Sequence, residues 1–174
     1  MLGEAAPVVI PAFVVELREH VGTMPLWLIG CTAVVVRDGP AGRQILAVKR
    51  SDNGAWTPVT GIVDPGEHPA AAAIRETVEE TAITARVVRL VQVGVTATVR
   101  YPNGDRTQYL DHTFRCDYVS GEPHPADGEN TETRWCTVDE LAALDPPMTP
   151  HMLARVAAAL SDESEPRLVT LESD

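Results

Sequence analysis

The sequence predicts an α/β fold of the α+β kind, a single mixed β-sheet built from hairpins with helices on both faces. Three observations predict it. β-branched runs recur along the chain, and two pairs of them are joined by turn clusters, "DGPAG" at 38–42 and "PNGD" at 102–105. Strands therefore arrive as hairpins and not as strand–helix–strand units. Segments with apolar residues at helical spacing lie between and after these runs. A chain of 174 residues with 44% hydrophobic composition suits one domain around one core.

The elements follow in order. "PAFVVELREHVG" places Phe13, Val14, Leu17 and Val21 at helical spacing, and Gly22 ends the helix. "CTAVVVRDG" and "RQILAVKR" form a hairpin over residues 31–50. "TPVTGIVDPGE" holds Pro58, Gly61, Pro65 and Gly66, too much punctuation for a regular element. Pro69 opens a helix, where its missing N–H costs nothing, and "PAAAAIRETVEET" continues with good helix formers. "ITARVVRLVQVGVTATVRY" and "RTQYLDHTFRCDYV" make a second, longer hairpin. In the latter strand Leu110, His112, Phe114, Cys116 and Tyr118 alternate with more polar residues, which predicts a half-buried strand with His112 on its apolar face. "TETRWCTV" is a short strand, and "DELAAL" and "TPHMLARVAAAL" are C-terminal helices. The chain divides into an N-terminal helical extension over 1–27 packed on the domain, a domain over 28–160, and a flexible acidic tail over 161–174.

The formal charge is −11, with 25 acidic against 14 basic residues. Such a chain is poorly suited to bind nucleic acid or an anionic membrane without sequence preference, since both are polyanions. No apolar run approaches the roughly 20 residues of a membrane span, and no signal peptide is evident. Cys31, Cys116 and Cys136 lie in apolar runs with no paired spacing, as expected of buried reduced thiols in a cytoplasmic protein. His20, His68, His124 and His151 show no ligand spacing, so zinc is not expected.

Chemistry concentrates in residues 61–83, "GIVDPGEHPAAAAIRETVEETAI". Glu76, Glu79 and Glu80 stand at i, i+3 and i+4, on one face of the helix within a turn. Like charges at this spacing destabilise a bare helix, and clustered carboxylates are how proteins hold hard divalent cations. A solvated acidic face would explain a lone "ExxEE". Two features argue otherwise: the small apolar face formed by Ala70, Ala73, Ile74, Thr77 and Val78, and the acid-bearing loop with Glu67 ahead of the helix.

This segment resembles the Nudix box, Gly–five–Glu–seven–Arg–Glu–x–x–Glu–Glu, and meets it at Gly61, Glu67, Arg75, Glu76, Glu79 and Glu80. "ILAVKR" before it and "GENTETRWCTVDEL" after it are also in the family's style, so the resemblance spans roughly residues 28–145. It departs from the pattern at Thr77, usually aliphatic, at Ala82, usually Gly, and at Val59-Thr60-Gly61, usually Pro-Gly-Gly. The last change touches a loop near the substrate.

The resemblance implies a Nudix-type α/β/α sandwich and a Mg²⁺-dependent hydrolase, with Mn²⁺ as the alternative ion. Its substrate is a nucleoside diphosphate linked to another moiety, either a nucleotide sugar such as ADP-ribose or an oxidised nucleoside triphosphate. Glu76, Glu79, Glu80 and the Gly61 carbonyl are the implied metal positions. Arg75 orients a box carboxylate, and Glu67 supports the loop. The base outside the box is Glu129, with Glu132 second. Arg50 is the candidate phosphate contact, since a guanidinium matches phosphate geometry. Tyr109 is the aromatic retained as a substrate contact, ahead of Tyr101 and Trp27, although packing is the commoner use of such residues. A homodimer is compatible with the resemblance. Two other readings stay open: a Nudix-like binding module, which would typically have lost box glutamates, and an isopentenyl-diphosphate isomerase, which needs a catalytic Cys–Glu pair outside the box.

Overall fold

The computed structural model describes residues 10–40, 42–101 and 103–172. Helix α1 (Ala12–Val21) ends at Gly22, whose φ of 58° closes the helix with its N–H on the Arg18 carbonyl. Strands β1 (Leu26–Gly39) and β2 (Gly42–Arg50) form the first hairpin. After β3 (Trp56–Thr57) and β4 (Val59–Ile62) comes helix α2 (Pro69–Thr81). Strands β5 (Thr84–Thr96), β6 (Val99–Arg100), β7 (Arg106–Ser120) and β8 (Asn130–Cys136) follow, then helices α3 (Val138–Ala142) and α4 (Pro150–Leu160), and strand β9 (Arg167–Glu172).

The nine strands among the described residues join one mixed sheet of order β3-β2-β1-β7-β5-β9, with β4 on β1, β6 on β7 and β8 on β2. At its centre β1 runs parallel to β7, from Leu26 opposite Thr107 to Val36 opposite Asp117. The unbroken apolar stretch of β1 fits a strand covered on both sides, and Cys31 to Val36 are all buried. On one face Cys31, Ala33, Val35, Leu46 and Val48 pack under Ala72 and Ala73 of α2. On the other, Val34, Val36, Ile45 and Trp56 pack under Leu141, Val156 and Ala159 of α3 and α4. The mixed sheet with helices on both faces is thus present.

Three expectations change. Residues 59–62 form a strand despite their punctuation, because β1 offers an edge on which Ala33–Gly30 pair with Val59–Ile62. The tail is partly structured: Arg167, Leu168 and Val169 pair in parallel with Gln92, Val93 and Gly94 of β5, so backbone pairing orders a segment whose Leu168 side chain stays exposed. β7 is covered on both faces, not one. Asp111 and Thr113, read as the polar side, are 4% and 0% exposed, because Arg155 of α4 reaches down to Asp111 (Nη1–Oδ2 3.1 Å). No helix among the described residues is long and apolar enough to cross a membrane, and the three cysteines are buried and unpaired.

Candidate active site

The box begins on β4. Pairing with β1 lays Gly61 beneath α2 so closely that a Cβ there would sit 2.2 Å from the Glu76 side chain. Only glycine leaves that carboxylate its place. Helix α2 opens with Pro69 in the first turn and with the His68 side chain accepting the Ala70 N–H at 3.1 Å. It ends at Ala82 in the left-handed region, φ 58°, which explains why glycine is the commoner residue in the pattern. Thr77, the other departure within the helix, is fully buried and returns its hydroxyl to the Ala73 carbonyl at 2.7 Å. The buried side of α2 is Ala72, Ala73, Thr77, Glu80 and Thr81, while Val78 is exposed. The apolar face read from spacing is therefore rotated, and one box glutamate lies on the buried side.

Arg75 ties the loop to the helix. Its Nε and Nη2 donate to the two oxygens of Glu67 (3.1 and 2.9 Å), and Nη2 also reaches the Ile62 carbonyl at 3.2 Å. Nη1 donates to Glu76 at 2.8 Å and to Glu79 at 3.0 Å. This bond to Arg75 holds the Glu67 carboxyl below its ordinary range. Glu76 moves the other way, up to about 7, because burial outweighs Arg75 and the charges of Glu79 and Glu129 add to it. Glu80, 3% exposed, is pushed up to about 8 by burial, against the opposing bond from Asn130 and with the charges of Glu76, Glu129 and Asp127 reinforcing the rise.

The loop between β7 and β8 is fastened to the end of α2. Ala126 N–H donates to the Glu80 carbonyl (3.1 Å) and His124 N–H to that of Thr81 (3.2 Å), and the Glu129 carbonyl accepts from Ser51 N–H at 2.8 Å. These bonds satisfy helix-end carbonyls and bring Glu129 within the field of Glu76, Glu79 and Glu80. Burial, then the neighbouring Asp127, raises the Glu129 carboxyl. Glu132 is elsewhere, paired with Lys49 at 3.0 Å and Arg134 at 3.7 Å.

Arg50 lies in the same acidic field and holds Asp52 with two bonds of 3.0 and 2.8 Å. Burial works to lower its pKa, but the Asp52 bond and the charges of Glu80 and Glu129 raise it on balance. Tyr109 shares a 2.9 Å hydrogen bond with Tyr101 through their hydroxyls and stands beside Gly30 on β1, with Arg50 within electrostatic reach. Trp27 is more than half exposed, Trp56 is core, and His112 has a buried Nδ1 with no hydrogen-bond partner among the described residues. Sequence reasoning missed Asn130, whose amide donates to Glu80 at 2.7 Å. Its only signal was adjacency to Glu129.

Among the described residues no three His, Cys, Asp or Glu side chains already form a cation cage. Glu76 and Glu79 face Arg75, and Glu80 faces Asn130. The donor chemistry nevertheless fits a hard divalent cation: all donors are oxygens, and the buried Glu80 and part-buried Glu76 repel each other.

Fold and site together define a class, an α/β/α sandwich whose clustered acids stand on one loop–helix unit. The NUDIX domain profile matches residues 29–158, and the chain belongs to that family. It is 35% identical over 118 residues to a MutT-like protein of Streptomyces ambofaciens, a match covering 68% of this chain and 69% of that one. It is 32% identical over 103 residues to an oxidized purine nucleoside triphosphate hydrolase of Danio rerio, covering 58% of this chain and 62% of that one. A NUDIX hydrolase from Nitrosomonas europaea shares the fold with a TM-score of 0.61 at 24% identity, over 76% of this chain and 88% of that one.

Proposed function

We propose that this chain hydrolyses the diphosphate linkage of a nucleoside diphosphate joined to another moiety, with Mg²⁺ or Mn²⁺ held by Glu76, Glu79, Glu80 and the Gly61 carbonyl. The observation that carries this reading is the gathering of Glu76, Glu79, Glu80 and Glu129 in one electrostatic cluster, with two of them deeply desolvated. A bound divalent ion supplies charge neutralisation at the phosphoryl oxygens and lowers the pKa of water. Arg75 holds Glu76 and Glu79 in place, and Glu67 braces Arg75 from the loop. Arg50 contacts substrate phosphate with the guanidinium that now grips Asp52, and Tyr109 borders the base or sugar. Glu129 accepts the proton of the attacking water, its raised pKa bringing it nearer the pH at which a base works. The likeness to a hydrolase of oxidised purine nucleoside triphosphates supports that substrate, with ADP-ribose-type nucleotide sugars beside it. An isopentenyl-diphosphate isomerase is disfavoured by three buried cysteines whose thiols are all pushed up by burial.

The test is a panel of oxidised nucleoside triphosphates, nucleotide sugars and dinucleoside polyphosphates, with products identified by ³¹P NMR. Release of a nucleoside monophosphate, abolished by chelator and restored by Mg²⁺ or Mn²⁺, is expected. Full turnover after exhaustive metal removal, or no cleavage anywhere on the panel, overturns the reading. Within it, Glu129→Gln is expected to lower kcat at least about tenfold with little change in Tm. Glu132→Gln is expected to do less, because Lys49 and Arg134 already hold that side chain. If Glu132→Gln proves the more damaging in steady-state assays, the base is not Glu129.

A further inference from the structure

Glu80 differs from the other two box acids in what holds it. Glu76 and Glu79 share the cationic Arg75, whereas Glu80 is held by a neutral amide, Asn130 Nδ2 donating to Oε2 at 2.7 Å. Both partners are buried, at 5% and 3% exposure. Asn130 is the first residue of β8 and sits opposite Arg50, just past a register shift between Lys49 and Arg50 of β2. That irregularity at the sheet edge and the loop bonds to the Glu80 and Thr81 carbonyls bring β8 against the end of α2. The chemistry of the two arrangements is distinct. A guanidinium satisfies a carboxylate but offsets its charge, so it competes with a metal ion for that carboxylate. An amide donor fixes the carboxylate's direction and leaves its charge intact.

We propose that Asn130 is a positioning residue for the cation site, acting through Glu80 by holding its carboxylate in one orientation while leaving its full charge to the ion. This rests on the reading of Glu80 as a metal position. The position of Asn130 also links the two halves of the site, since the residue that orients Glu80 directly follows Glu129 in the chain.

The test is a double-mutant cycle read by Mn²⁺ affinity, measured by electron paramagnetic resonance on the full chain, with Tm recorded for each variant. The variants are Asn130→Ala, the near-isosteric Asn130→Leu, Glu80→Gln, and Glu80→Gln combined with each Asn130 change. Loss of an outer partner typically weakens a metal site about 10–100-fold, so each Asn130 variant is expected to bind Mn²⁺ at least about tenfold more weakly. In the Glu80→Gln background the same changes are expected to have no further effect. Asn130→Leu guards against a cavity-driven loss of fold in Asn130→Ala. Unchanged affinity in a folded Asn130 variant overturns the proposal, as does an effect that persists in full without the Glu80 carboxylate. If the unmodified protein binds no Mn²⁺, the reading of the metal site fails and the role of Asn130 falls with it. That pattern is distinct from tight binding that is indifferent to residue 130.

Discussion

Glu80→Gln is expected to lower turnover at least about hundredfold while leaving the metal-free protein as stable as before, or more so. The two effects have one cause. Glu80 is 3% exposed and pushed up to about 8 by burial, so its charged form is costly in the folded protein. Glutamine keeps the shape and a carbonyl oxygen that still accepts the Asn130 amide, and it removes the repulsion from Glu76, Glu129 and Asp127. Stability is thereby preserved. The negative oxygen offered to a divalent ion is lost, and a hundredfold loss of kcat is about 2.7 kcal/mol of transition-state stabilisation. Glu79→Gln is expected to lose as much activity. Its side chain is half exposed and, among the described residues, hydrogen-bonds to Arg75 alone, so its stability effect is expected to be small. Steady-state kinetics beside thermal unfolding in chelator decide the matter. Near-normal rates in both variants would mean that neither carboxylate serves the reaction.

Much of this was legible in the sequence, for physical reasons that differ by element. Helix α2 announced itself through local chemistry: Pro69 at its start, good helix formers after it, and charge spacing that only a helix makes meaningful. The first hairpin was equally local, set by the Gly39–Gly42 turn between two apolar runs. What stayed hidden depends on distant partners. Residues 59–62 become a strand only because β1 presents an edge to them, and β9 forms only because β5 does. The direction of Glu80 into the protein could not be read from i, i+4 spacing alone, since the helix rotation is set by the packing of Ala73 and Thr77. Asn130 was unreadable for the same reason. Its role depends on a register shift in β2 some 80 residues earlier in the chain. The placement of Glu129 in the loop and of Glu132 in strand β8, by contrast, is a distinction that sequence does carry, and Lys49 pairs with Glu132 in the folded protein.

The second large expected effect is on stability alone. Arg155→Met is expected to destabilise the protein by about 3–5 kcal/mol, the usual cost of leaving one partner of a buried ion pair alone. Arg155, 2% exposed, donates to Asp111 at 3.1 Å and to the Thr32 hydroxyl, and that hydroxyl in turn donates to Asp111 Oδ1 at 3.0 Å. Thr113 adds a bond to Oδ2 at 2.9 Å. Without Arg155 the Asp111 carboxylate keeps two hydroxyl donors but no cation, under a helix that excludes water. In a chain of this size the loss corresponds to a fall in Tm on the order of 10 °C. Replacing both partners tests the cause, since an apolar pair of similar volume removes the stranded charge as well as the bond. Asp111→Leu combined with Arg155→Met is therefore expected to recover most of the stability lost in the single variant. Denaturant unfolding of the three variants measures this. A single-variant cost under about 1 kcal/mol, or a double variant no better than the single, would mean that α4 is held to the sheet by its apolar face through Val156 and Ala159 rather than by the charge beneath it.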